Sequence, residues 1–274
     1  MVRRKYRNVF RSQPCRRKLG QPDPSPELFH LAVEIKTRNP LFGCPRIASQ
    51  LARVFGIEVD KDLVRRVLAK HYRPDARGSG PSWLPRLGTG SNRLWSADLF
   101  CCESVLLKTH WVMVVMDQLS RRIVGFAVQV IALDGTAVCR MFNVSMFGAG
   151  VPRHLSTDNA PYFRFNQWCA NLRILGIDHF RSVPGAPTTH PFIEQLVGTI
   201  RREFLDHTLF WKETDLTRKL AAFVDYYNRD RAHAVVHGRT PAEASGAPAP
   251  IFADFRSYGW KSCFGGLFRL PSAT

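Results

Sequence analysis

The chain has no long apolar run, no acid near its start and no paired cysteine motif, and each absence removes a class of protein. Its most continuous apolar stretch, residues 111–116, falls far below the ~20 residues needed to cross a bilayer. The N-terminus is charged rather than apolar, so it does not read as an export signal. Seven cysteines, at positions 15, 44, 101, 102, 139, 169 and 263, are an odd number without a C-x-x-C pair. That usage fits reduced thiols in a cytosolic protein, and with the nine histidines read as having no H-x-x-x-H partner it gives no zinc spacing and leads to the expectation of no structural metal. No internal repeat or extended low-complexity segment is present, which sets aside solenoids and fibrous chains.

What the chain has in excess is positive charge. Lys and Arg number 39 against 22 acids, a formal net charge of +17 over 274 residues. Such a surface favours a polyanionic partner, most simply nucleic acid. The excess is uneven, because the first 18 residues hold Arg16, Arg17, Lys18 and five further basic residues and no acid. This basic arm is expected to contact phosphates. With 45% apolar residues the remainder has ample material for a core.

Residues 23–73 read as three short helices. Ser25 before Pro26 marks the first, with Leu28, Leu31, Ala32 and Ile35 at helical spacing. Pro45 opens the second, whose apolar face is Ile47, Leu51, Val54 and Phe55, and Gly56 stands where a left-handed cap ends a helix. The third begins after Asp60 and has a stripe of Leu63, Val64, Val67 and Leu68, leaving Lys61, Arg65, Arg66 and Lys70 outside. Two readings stay open for this unit: a helix-turn-helix that reads DNA with that basic face, or an ordinary three-helix packing module. The Gly-, Pro- and Ser-rich stretch 75–92 reads as a linker.

From residue 94 the periodicity becomes β-like. Runs at 94–102, 110–118 and 121–130 with short connections suggest a meander. A helix at 135–147, a strand at 153–157, a helix at 165–175 and a strand at 177–183 follow. Hairpins followed by β-α-β alternation imply a mixed five-stranded sheet flanked by helices. A proline-rich loop then leads to a helix bearing Glu194, a further helix at 216–228, and a C-terminal tail. The expected boundaries are an arm at 1–22, a helical domain at 23–74, a linker at 75–92, a sheet-containing core at 93–246 and a tail at 247–274.

Three acids stand out: Asp98 in L-W-S-A-D-L-F, Asp158 in L-S-T-D-N-A-P, and Glu194 in H-P-F-I-E-Q-L, with 35 residues between the last two. Glu194 alone reads as a first-turn helix acid and Asp158 alone as a turn residue. Asp98 is harder to explain structurally, because an ionised side chain within an apolar strand is costly unless paired or metal-bound. Together, three carboxylates held at a strand, a strand end and a helix turn can hold hard divalent cations. Asp117, Asp134 and Glu203 compete for these roles and fit structural explanations better, Glu203 being the substitute to test first.

The chain resembles the bacterial insertion-sequence transposases that share the retroviral-type integrase catalytic core, a ribonuclease-H-like fold with a D, D, 35, E triad. N-P-L-F-G-C-P-R-I looks like their helix-turn-helix segment. S-T-D-N, S-V-P-G-A-P-T-T-H-P-F-I-E and G-T-I-R-R-E-F-L-D-H look like the core, and Y-Y-N-R-D-R-A-H-A-V-V-H-G-R-T-P-A-E like its closing signature. The resemblance implies catalysis by Asp98, Asp158 and Glu194, with two Mg²⁺ or Mn²⁺ ions, Asp98 touching both. It implies hydrolysis at a DNA end followed by attack of the exposed 3′-hydroxyl on target DNA. It places a DNA-contacting basic residue at Arg201, with Arg202 beside it, and suggests a homo-oligomer on DNA in a nucleoid-associated, cytoplasmic setting. His190 and Asn159 are further candidates near the site, and Arg231 a further DNA contact. Relatives commonly have more residues before the helical unit, so a truncated copy acting only as a DNA-binding regulator is one alternative. A nuclease on the same fold, cutting without joining, is the other.

Overall fold

A computed structural model describes residues 26–72, 94–130, 132–181, 191–249 and 251–273. Arg16, Arg17, Lys18, the expected linker and most of the proline-rich loop, including His190, lie outside the described residues.

Three helices open the described chain: α1 (Pro26–Arg38), α2 (Cys44–Phe55) and α3 (Lys61–His71). Leu28, Leu31, Ala32 and Ile35 of α1 are buried, as are Ile47, Leu51, Val54 and Phe55 of α2. The ends follow local chemistry. Gly56 closes α2 at φ 69°, a left-handed conformation that needs no Cβ, and returns its N–H to the Ala52 carbonyl at 3.0 Å. The Asp60 carboxylate accepts from the Asp62 N–H and so caps α3.

The central sheet is built from β1 (Leu94–Glu103), β2 (Thr109–Asp117), β3 (Ile123–Gln129), β4 (His154–Thr157) and β5 (Asp178–Arg181), in the order β3-β2-β1-β4-β5. The first three strands pair antiparallel, whereas β4 runs parallel to both β1 and β5. Helix α4 (Gly135–Ser145) connects β3 to β4 and α5 (Asn166–Ile174) connects β4 to β5. This is the mixed, helix-flanked sheet the sequence pattern implies.

The sheet is apolar on both faces, and the two-residue period of β2 separates them. Met113 and Val115 join Trp95, Ala97 and Leu155 under α4 and α5, where Phe142, Phe163 and Trp168 fill the layer. Val112, Val114 and Met116 join Phe100 on the other face. That face carries α6 (Pro191–Glu203) and α7 (Glu213–Arg229), followed by the short α8 (Pro241–Ala244). Gly125 is required by packing, because a Cβ there would collide with the Ser145 carbonyl at the end of α4.

The C-terminal tail is more than a tail. It folds into an antiparallel hairpin, β6 (Tyr258–Cys263) and β7 (Phe268–Ala273), which the sequence pattern does not announce. Phe268 and Leu270 enter the same apolar cluster as α1, α2, α3, α6 and α7. The Asn39 amide fixes the contact, donating to the Arg269 carbonyl at 2.7 Å and accepting from its N–H at 2.8 Å. The N-terminal helices therefore share one core with the central sheet.

Candidate active site

Asp98 lies in the middle of β1, with Ser96 and Phe100 on the face that carries α6. In the parallel pairing of β1 with β4 the last registered pair is Ala97 with Thr157. Asp98 and Asp158 are the next residues on the two strands, so the point where β4 ends brings them side by side. Asp158 turns the chain there, its Oδ1 accepting from the Ala160 N–H at 3.1 Å. Thr157 steadies the turn: its hydroxyl donates to the Asp158 carbonyl at 3.0 Å and lies 2.8 Å from His179 Nε2. Burial, then the charge of Arg181, lowers His179 to about 4, so the ring is neutral. With the threonine proton committed, this ring donates Nε2–H to the hydroxyl.

Glu194 sits in the first turn of α6, exposed, where the helix dipole favours a carboxylate. Its neighbours Ile193 and Leu196 are buried and fix the helix on the sheet. Asp98 registers the result electrostatically. Burial first, and then the charges of Asp158 and Glu194, raise its carboxyl to about 6 against the 2.7 Å hydrogen bond from the Leu99 N–H and the charge of Arg201. The three carboxylates thus share one field.

Among the described residues no three His, Cys, Asp or Glu side chains are gathered closely enough to hold an ion as they stand. The donor set nevertheless suits a hard cation. All its donors are carboxylate oxygens, and the central one is disfavoured as an anion by burial and by two negative neighbours, which a bound cation would reverse.

Arg201 lies two turns beyond Glu194 and is exposed, with its guanidinium 5.5 Å from the centre of the Phe100 ring. It forms no ion pair with Glu203 or Asp206. Arg202 is also exposed and folds back over Gly198. Lys61, Arg65, Arg66 and Lys70 are exposed on α3, Arg65 being paired with Asp62 at 2.7 Å. Asn159 is engaged by Arg164, which donates to its amide oxygen at 3.2 Å and to its carbonyl at 3.0 Å.

The competing acids have local partners. Asp117 accepts from the Leu119 N–H and the Ser120 hydroxyl in the β2–β3 turn, and Asp134 caps α4 through the Ala137 N–H at 2.6 Å. Glu203, the substitute candidate, is withdrawn from chemistry altogether. It is held by Arg46 at 3.0 Å and by Arg231 at 2.9 Å, and the two guanidinium charges keep its carboxyl at about 2 despite burial. Arg231, weighed from sequence as a DNA contact, is largely buried and its Nε and Nη2 are committed to Glu203.

Sequence reasoning missed this network. His233 belongs to it, 3.1 Å from Arg231 and driven down to about 2 by burial and then by that charge. His233 and His237 do stand at His-x-x-x-His spacing, but a 3-10 turn, Ala234–Val236, separates them in place of a regular helix that would put both on one face. The only signal for the network in the sequence is Glu203 itself, an acid directly after two arginines.

Comparisons with known proteins agree with this architecture. A family model described as the integrase core domain matches residues 175–241, a span that includes Glu194 and Arg201. A chain of the simian T-cell lymphotropic virus intasome in complex with PP2A regulatory subunit B56 gamma superimposes with a TM-score of 0.50, at 16% identity, covering 72% of this chain and 70% of that one. The fold is therefore the ribonuclease-H-like integrase-core fold. A 39.2 kDa protein of insertion element IS476 from Xanthomonas euvesicatoria is 30% identical over 257 residues, 92% of this chain and 70% of the relative. The chain belongs to the insertion-element proteins with an integrase core, which places it in DNA integration and transposition and among polynucleotidyl transferases by kind. Among the described residues no helix is long and apolar enough to cross a membrane.

Proposed function

We propose that this protein is a transposase that cuts DNA at the ends of its element and joins them to a target by in-line phosphoryl transfer. The observation that carries the reading is Asp98, a carboxylate in the central strand of the sheet, next to Asp158 and within the field of Glu194. Asp98, Asp158 and Glu194 would hold the divalent ions, two Mg²⁺ or Mn²⁺. Bound there, such ions activate a water or 3′-hydroxyl and stabilise the leaving oxygen. The chain's own residues position: Arg201, exposed on the helix that carries Glu194, takes the phosphate beside the reacting one. Lys61, Arg65, Arg66 and Lys70 on α3 track the duplex as a helix-turn-helix would, with Arg202 and the arm residues Arg16, Arg17 and Lys18 adding backbone contacts. Two ends must be held together for joining, so the working form is a homo-oligomer on DNA.

The test is a strand-transfer assay on a labelled duplex carrying the element's end, with Mn²⁺, comparing the wild-type chain with Asp98→Asn and Glu194→Gln. Joined product from the wild type alone supports the transposase. Cutting without joining indicates a nuclease, and binding with neither reaction indicates a regulator.

A further inference from the structure

Between α2, the β2–β3 turn, α6 and the chain leaving α7 lies a cavity of about 220 Å³. Three arginines, Arg46, Arg121 and Arg231, line it, together with Ser49, Gln195 and Thr199, and no carboxylate does so among the described residues. Glu203 lies behind the wall and binds Arg46 through Nη1 and Arg231 through Nε and Nη2. That leaves donors over. Nε and Nη2 of Arg46 are buried without a hydrogen-bond partner, as are Nε and Nη1 of Arg121.

Arg121 makes no ion pair among the described residues; its guanidinium lies 3.2 Å from the centre of the Phe192 ring. The backbone holds it there at φ 63°, a conformation a non-glycine residue adopts at a cost. Three guanidinium groups against one carboxylate leave a surplus of two positive charges in a partly enclosed space. Burial brings Arg46 and Arg121 down to about 10, which still leaves both charged at neutral pH. A buried guanidinium with unpartnered N–H groups is costly unless acceptor oxygens meet it. The Arg46 guanidinium is covered by aromatic rings, Phe42 at 3.8 Å and Phe268 at 5.2 Å, which offset part of that cost but supply no acceptor oxygen.

We infer that this cavity is a phosphate site, taking either a phosphodiester of the DNA backbone or a free phosphate against the surplus positive charge of the arginines that line it. Its walls come from the N-terminal helices, the β2–β3 turn and the first turn of α6, where Phe192 and Gln195 flank Glu194. An anion there would clamp these three pieces together. The site is separate from the three carboxylates and does not depend on their chemistry.

The experiment compares the wild-type chain with Arg121→Gln and Arg121→Lys, without divalent metal. Thermal unfolding is followed in sodium phosphate and in sodium chloride at equal ionic strength, and duplex affinity is measured across a salt series. Phosphate stabilises folded chains generally by exclusion, so the decisive quantity is the difference between wild type and variant. With free phosphate as ligand, the wild type gains about 3 °C or more at a concentration well above Kd, and the glutamine variant does not. With a DNA phosphodiester as ligand, Arg121→Gln lowers the slope of log affinity against log salt by about one, without a phosphate-specific thermal shift. Arg121→Lys keeps the charge without the guanidinium and should show a reduced effect, which preserves the test if the glutamine variant fails to fold. No difference between wild type and either variant in both measurements overturns the proposal.

Discussion

Arg46 on α2 and Glu203 at the end of α6 meet at 3.0 Å with less than a fifth of either side chain exposed, and Arg231 completes the cluster from beyond α7. The N-terminal helices are thus tied to the core by a buried charge cluster as well as by apolar contact. Removing one partner strands the others. Glu203→Gln should destabilise the chain by about 3–5 kcal/mol in urea unfolding, far more than an exposed acid would. The pH dependence has a definite sign. The native carboxyl is held at about 2 against an ordinary 4.5, so the unfolded chain takes up the proton first as pH falls. This contribution to stability is fully present above pH 4.5 and is lost as pH falls through 2. Acid titration of Tm should show that loss in the wild type and lack it in Glu203→Gln.

Asp98 shows the opposite sign. Its carboxyl is raised to about 6 by burial and by Asp158 and Glu194, so in the metal-free chain the charged form costs stability above that pH. Asp98→Asn removes the charge while keeping the shape. It should abolish cutting and joining yet raise metal-free stability by about 1–2 kcal/mol at pH 8, with the gain vanishing below pH 4 where both forms are neutral. A loss of stability at pH 8 would contradict the electrostatic account of this site.

Arg201 separates DNA contact from folding. It is exposed and makes no ion pair among the described residues, so Arg201→Ala should leave unfolding within about 0.5 kcal/mol of wild type. If it grips a phosphate near the reacting one, joining should fall by roughly 10- to 100-fold, the worth of one charge-assisted hydrogen bond. Single-turnover joining and urea unfolding of the same preparation decide it. An equal fall in stability would mean the residue holds the helix rather than the substrate.

The elements legible from sequence are those whose patterns are local. The stripe of α2 and its Gly56 cap, the two-residue period of β2 and the order of hairpins and β-α-β units all follow from neighbours along the chain. Asp98 could be singled out because a charge in an apolar strand is anomalous wherever the strand packs. Glu203 could not be assigned its place, because its partners stand at 46 and 231 and only the folded chain brings them to one point. The hairpin at the C-terminus was hidden for a similar reason. Strand β7 contains Pro271, a residue that argues against strand, and its apolar residues have meaning only against α1 and α7.

That hairpin supplies the last prediction. Phe268 is 1% exposed, stacks on Tyr226 of α7 at 4.8 Å and lies 5.6 Å from Phe42, between α1 and α2. One ring therefore joins the tail, the N-terminal helices and the core. Phe268→Ala should cost about 3–5 kcal/mol, the usual penalty for emptying a buried aromatic site. The loss should also be local in its first effects. Asn39 anchors α1 to the backbone of Arg269, so loosening β7 loosens α1, whereas the layer of Phe142 and Trp168 lies across the sheet. Amide hydrogen exchange should then show α1 and β7 losing protection before β1 and β2. Uniform loss across the sheet would mean that the hairpin is part of one cooperative unit with it, and that the N-terminal helices cannot move on the core without unfolding it.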